Sequence, residues 1–384
     1  MLEAYLQASI RQARERARIL KGKIKNPLPS AEYSGLQSRC EQFLDELITK
    51  FDELANDEIY HRLDKSTIRM RLFVRSIGEL GWLECSGIAA LNRHNDDDVF
   101  LNRLVFTIHQ EINYPLNPPA ACCLSQNYYM IDPRIGLLSV PLAESEFLLH
   151  LPDLYHELGH PLITTLENPR VEGFQKRYMQ FVCEVEIKYS DMIIDNQRLT
   201  GPKEYYKYLL ESYNLCWAKY WAREIFCDLF ALYTLGPAYA WAHLHLTAKT
   251  DSNPFSYGSA NQLSTHPPNQ ARMEALLIGL DLLGKSEEAL TIGKRWAELL
   301  KLMGVHQDSN YRKACPQELI KSAASNALLG VQDIGCRIAG DNSNGIIHSL
   351  LNEAWRYLWT NPRDYYTWEK NKVKMLREKY NQLK

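Results

Sequence analysis

Two histidines four positions apart inside an apolar run constrain this chain more than any other feature. The stretch Leu154-Tyr-His-Glu-Leu-Gly-His160 continues Phe147, Leu148 and Leu151 at near-helical spacing. The pattern predicts a buried helix with both imidazoles on one face. Pro152 suits that helix's first turn, where a missing N–H costs nothing. Imidazoles buried side by side need polar partners or a metal ion, because an unpaired polar group in an apolar interior is costly. A pair of core histidines satisfied by ordinary side chains is the structural alternative to a metal.

The motif HExxH favours the metal. In a chain of 384 residues with 11 His and 28 Glu, chance alone produces it about once in fifty such chains. His156 and His160 can grip one zinc ion, and Glu157 is placed to reach the metal's water rather than the metal. Zinc brings the pKa of that water down towards about 7, so a neighbouring carboxylate can take its proton during attack on a carbonyl. Such a site needs a third protein ligand and an open fourth position. Leu166 stands where the metzincin pattern has its third histidine, so the ligand must lie elsewhere. Glu167, Glu172, Glu184, Glu186 and Glu224 are the candidates, and Glu224 is preferred.

The reason is its setting. Trp221-Ala-Arg-Glu-Ile-Phe-Cys-Asp228 falls on a helix whose apolar residues (Leu215, Trp217, Trp221, Ile225, Leu229, Leu232) surround Glu224 and Asp228 at i and i+4. One carboxylate can ligate zinc while the other accepts the spare N–H of a ligating histidine. The bland counterpart is an exposed acidic pair on an amphipathic helix. Glu184, 24 residues past His160, is the reserve ligand.

Ser264-Thr-His-Pro-Pro-Asn-Gln-Ala-Arg272 lies where a helix should start, prolines first and an apolar stripe after. Alone, His266 reads as a loop histidine and Arg272 as a surface charge. Taken with HELGH and the ExxxD of Glu224 and Asp228, this segment resembles the gluzincin metallopeptidases of the CAAX prenyl protease and HtpX heat-shock protease family. Tyr129-Met-Ile-Asp-Pro-Arg-Ile-Gly-Leu-Leu138 is also similar to that family's strand and Gly-Leu-Leu before its zinc helix. The resemblance covers roughly residues 125–280. It implies Zn2+ held by His156, His160 and Glu224, with Glu157 as general base and Asp228 behind a ligand. It further implies that His266 and Arg272 face the developing oxyanion or position the substrate. The implied activity is hydrolysis of peptide bonds in a protein or peptide substrate. Named members of that family are integral membrane proteins, whereas this chain reads as a soluble relative.

The most apolar charge-free stretch, Leu229 to Ala248, could span a membrane by length. Gly236-Pro237 interrupts it, so a core helix followed by a second short helix is expected instead. The N-terminal residues lack the apolar core of a signal peptide. Nine cysteines without a CxxC pair read as reduced thiols, which points to the cytoplasm. A balance of 44 Lys+Arg against 46 Asp+Glu gives a net charge of -2, which offers no global field for nucleic acid.

Leu6, Ile10, Ala13, Ala17, Leu20 and Ile24 place one stripe along a first helix, and Leu36, Cys40, Phe43, Leu44, Leu47, Phe51 and Leu54 one along a second. The two should form an antiparallel hairpin. The first helix's basic faces read as solvated, with a membrane-surface or partner role as the alternative. Residues 66–110 fit strand or helix. His94 to Asp98 reads as a solvated acidic turn, since it lacks the Gly and distal Glu of an EF-hand. Tyr128 to Ile131 reads as a strand and Ile135 to Val140 as an apolar segment; the chain beyond Pro141 reads as helical. The expected fold is mainly α (α+β), a zincin-like metallopeptidase core with a small sheet before the HExxH helix. Its expected parts are a helical region 1–115, the core 116–280 and a helical region 281–384. Two other functions stay open, a non-catalytic helical interaction protein with a structural zinc site and a zinc hydrolase of small amides. Glu157 speaks against the first, since a structural site closes four ligands and needs no base.

Overall fold

The computed structural model describes residues 2–24, 31–61, 66–93, 95–125, 128–197, 203–250, 252–257, 263–340 and 345–381. These residues are mainly helical with one three-stranded sheet. The chain forms two compact units, residues 1–106 with 117–142, and 107–116 with 143–384. This partition differs from the expected 1–115, 116–280 and 281–384. The sheet precedes the HExxH helix in sequence, yet it packs with the N-terminal helices. The C-terminal helices belong to the same unit as the HExxH helix.

In the first unit, α1 (Leu2–Lys23) lies against α2 (Ser34–Asn56) as its stripe requires. Ile10, Ala17, Leu36, Leu44 and Phe51 are wholly buried there, in one cluster with Ala120, Ile135 and Leu137 of the sheet segment. After α3 (Glu58–His61), the ambiguous region is helical. It comprises α4 (Ser66–Leu83), a π-helical turn Glu84–Ile88, α5 (Ala89–Asn92) and α6 (Asp96–Glu111). The alternation of Ile68, Met70, Leu72 and Val74 is misleading, because only Leu72 packs on the core and the other three are exposed. The buried face of α4 runs through Arg69, Ser76, Leu80 and Leu83 at helical spacing. His94 lies outside the described residues. Asn95 and Asp98 cap α6 reciprocally, Asn95 N–H donating to Asp98 Oδ2 at 2.8 Å and Asp98 N–H to Asn95 Oδ1 at 2.9 Å. The acidic turn is thus a helix start.

The sheet contains β1 (Ala120–Cys122), β2 (Met130–Asp132) and β3 (Leu137–Ser139) in the order β1-β3-β2. β3 runs parallel to β1 and antiparallel to β2, with Leu138 opposite both Ala121 and Ile131.

The second unit holds α7 (Asp153–Thr164), α8 (Glu172–Gln197) and α9 (Lys203–Cys216). A π-helical turn, Trp217–Trp221, leads directly into α10 (Ala222–Leu235). α11 (Pro237–Ala248), α12 (Asn269–Leu282), α13 (Ser286–Met303), α14 (Tyr311–Ala314), α15 (Gln317–Asp333), α16 (Ile346–Thr360) and α17 (Tyr365–Asn381) follow. Every residue of α10 from Ile225 to Leu235 is buried. A helix apolar all round must be enclosed, and α7, α8, α11, α12 and α15 enclose this one. Gly236, at φ 87°, ends α10, and Pro237 opens α11. No helix among the described residues is long and apolar enough to cross a membrane. Trp296 and Trp355 are buried as packing anchors, Trp368 stacks on Tyr357, and Trp359 is partly exposed.

Candidate metal centre

Helix α7 begins at Asp153, and the residues from Phe147 to Pro152 form turns instead of the continuous helix their spacing suggests. Proline at 152 removes a main-chain donor and limits how far the helix can extend backwards. From Asp153 to Gly159 every residue is buried. Gly159 permits the close crossing of α7 over α10. A β-carbon there would come within 2.8 Å of Cys227 Cα, a contact no side-chain rotation relieves. The Leu158 carbonyl accepts from the Tyr114 hydroxyl at 2.6 Å.

His156, Glu157 and His160 offer ligand atoms that all lie within 4.8 Å of one another. The two imidazole centroids are 5.1 Å apart and nearly perpendicular. α10 backs both rings. His156 Nδ1 donates to Asp228 Oδ1 at 2.8 Å, while His160 Nδ1 lies 3.5 Å from Cys227 Sγ. Each imidazole thereby keeps Nε2 for the opposite side. Glu224, in the first turn of α10, places Oε2 3.5 Å from His156 Nε2. Two ligands on one tetrahedral zinc stand about 3.3 Å apart, given metal–ligand lengths of about 2.0–2.1 Å. The Glu224–His156 spacing suits a shared ion. Two imidazoles, the adjacent carboxylate of Glu157 and a second carboxylate from Glu224 are donors of the kinds that zinc takes.

Burial and neighbouring charges act together on the ionisable groups of the centre. Asp228 is fully buried, and Arg272 grips it with Nε to Oδ2 and Nη2 to Oδ1, both at 2.6 Å. Burial would raise its carboxyl, but Arg272 and then His156 hold it well below the usual carboxylate range. Burial likewise opposes a charge on His156. The hydrogen bonds to Asp228 and Glu224 outweigh it and push the imidazole up to about 10. Glu224, also disfavoured by burial, is held down at about 2 chiefly by His156. His160 is driven down to about 4 by burial and by His156. A cation at His156 Nε2 would take the place of a proton there in offsetting the charges of Asp228 and Glu224.

The structure brings together His156, Glu157, His160, Glu224, Asp228 and Arg272. Arg272 takes a different position from the one expected, because two of its three guanidinium nitrogens are committed to Asp228 and the ion pair is buried. Asp228 demands a counter-charge that solvent cannot supply. His266 is exposed on a turn where Thr265 Oγ1 lies 3.1 Å from its Nδ1, and no described hydrogen bond joins it to the cluster. Trp221 Nε1 pins that turn through the Ser264 carbonyl at 2.9 Å. The reserve ligand Glu184 faces α15, where Ser322 Oγ and Asn326 Nδ2 donate to its carboxylate. Glu167, Glu172 and Glu186 are exposed.

Two contacts carry no local sequence signal. Tyr239 Oη donates to Asp228 Oδ1 at 2.5 Å and lies 3.0 Å from His156 Nδ1. Cys227 meets His160 through the side chain next to Asp228. A tyrosine in an apolar helix and an unpaired buried cysteine both look like packing residues in a sequence. Comparison with family models, curated proteins and solved structures returns no match.

Proposed function

We propose that the chain is a zinc-dependent metallopeptidase with a zincin-like core, hydrolysing peptide bonds in a protein or peptide substrate. The observation that carries this reading is the His156–Glu157–His160 cluster, with both Nδ1 atoms anchored on α10 and Glu224 3.5 Å from His156 Nε2. His156, His160 and Glu224 would hold the ion. When bound, zinc supplies a Lewis acid that polarises a carbonyl and makes water acidic near neutral pH. Glu157 accepts a proton from the attacking water and returns it to the leaving amine. Asp228 orients His156 and carries no proton itself, because Arg272 keeps it ionised. His266 is assigned no step.

The test combines metal content with turnover. Purified chain should carry about one zinc per molecule and cleave members of a peptide library, read by mass spectrometry. Glu157→Gln should keep the metal and lose cleavage, since an amide cannot take up the water's proton at neutral pH. A chain without stoichiometric metal, or a Gln variant with unchanged turnover, would overturn the proposal.

A further inference from the structure

We infer that Tyr239 is a positioning residue of this centre, holding Asp228 and His156 in the arrangement that leaves His156 Nε2 to the ion. The inference rests on the metallopeptidase reading. It begins in the sequence with the Gly236-Pro237 break. Gly236 takes φ 87°, closes α10 by donating its N–H to Leu232 O at 2.7 Å, and is followed at once by the first turn of α11. So short a reversal lays α11 against α10. Tyr239, the third residue of α11, is thereby delivered beside Asp228.

The geometry is a closed triangle. Tyr239 Oη is 2.5 Å from Asp228 Oδ1 and 3.0 Å from His156 Nδ1, and those two atoms are 2.8 Å apart. The phenol ring lies within 14° of parallel to the imidazole at a centroid separation of 6.2 Å. Tyr239 is 1% exposed, and its hydroxyl donates to Asp228 Oδ1 at 2.5 Å. The hydroxyl proton goes to the acceptor that is ionised, Asp228. His156 then keeps its own Nδ1 proton, so that loss of its other proton frees the lone pair on Nε2. Arg272 fixes the carboxylate through both oxygens, and Tyr239 adds a third donor to Oδ1.

Most buried phenols find an acceptor, so the bland reading is simple satisfaction. Tyr114, Tyr189 and Tyr233 meet that need on main-chain carbonyls of Leu158, Ala314 and Ala324. Tyr239 spends its hydrogen bond on the carboxylate that orients a candidate ligand. Partners of this kind typically change metal affinity by about 10- to 100-fold.

The experiment uses the full chain as wild type, Tyr239→Phe and a matched control, Tyr233→Phe. The control removes another deeply buried hydroxyl, bonded to Ala324 O at 2.7 Å. Zinc affinity is measured by competition with a chelator, and the visible absorption of the Co2+-loaded proteins reports ligand arrangement. Tyr239→Phe should bind zinc about 10- to 100-fold more weakly and shift the cobalt bands. Tyr233→Phe should do neither, even if both lower the melting temperature of the metal-free chain. Equal affinity and unchanged bands in Tyr239→Phe, or equal losses in the two variants, overturn the role of Tyr239 alone. A wild-type chain that takes up neither metal overturns the metallopeptidase reading and this inference with it.

Discussion

Arg272 reaches Asp228 across 44 residues of chain, Nε to Oδ2 and Nη2 to Oδ1, each at 2.6 Å. The carboxylate is fully buried and the arginine side chain 12% exposed, so neither charge can fall back on water. This pair anchors α12 to α10 directly behind His156. An interaction of this kind is needed because its partners are buried, and breaking it from one side is far more harmful than its net contribution suggests.

Arg272→Met should therefore destabilise the fold by about 3–5 kcal/mol, because it strands the charge of Asp228. Urea denaturation of the metal-free chain reads this directly. The alternative, in which Arg272 serves only a developing oxyanion, predicts lost turnover at unchanged stability. A stability within about 0.5 kcal/mol of wild type would exclude the anchoring role.

Glu224→Ala should lose zinc while Glu184→Ala keeps it. Glu224 faces His156 Nε2, whereas Glu184 is occupied by Ser322 and Asn326 on α15. Metal content after gel filtration separates the two. Equal retention would remove Glu224 from the ligand set.

Gly159→Ala should cost about 1–3 kcal/mol by overpacking, despite the better helix propensity of alanine. The new β-carbon would meet Cys227 Cα at 2.8 Å. Because the obstacle is main chain, Cys227→Ala should not rescue the variant. Thermal melts of the single and double variants decide; full rescue would place the clash on the sulfur instead.

Stability should fall on acidification between pH about 6.5 and about 4, partly through His243. This imidazole is 2% exposed and stacks on Trp296. Burial and then Arg272 push it down to about 4 from an ordinary value of 6.5. Its neutral form is favoured by folding, so its contribution is complete above about 6.5, declines as pH drops towards about 4, and stays low below that. The full effect is on the order of 3 kcal/mol. Urea midpoints across this range should flatten in His243→Gln relative to wild type; parallel curves would show that His243 titrates normally.

Much of the fold was legible because burial imposes periodicity. The stripes of α1 and α2, the helices from Asp153 onward and the Gly236-Pro237 break appear as predicted, whereas Phe147 to Pro152 do not form the expected helix. α4 was ambiguous for a physical reason: of its alternating Ile68, Met70, Leu72 and Val74 only Leu72 packs on the core, and its buried face includes Arg69. Arg69 is tolerated there because its Nε donates to Leu54 O at 2.8 Å, a pairing no local pattern discloses. β1 was missed because three small residues, Ala120 to Cys122, have no alternation to read.

In the centre, the chain by itself determined which side chains share a helix face. His156 and His160 are neighbours on α7, and Glu224 and Asp228 on α10, because i and i+4 positions always lie together. Only tertiary structure decided what those faces meet. Packing of α7 against α10 through Gly159 set Asp228 and Cys227 behind the two imidazoles, and the return of α11 set Tyr239 on Asp228. Burial of that carboxylate paired it with Arg272 from α12. Helical periodicity is a property of one segment, whereas the partner of a buried charge depends on every segment that shuts out water.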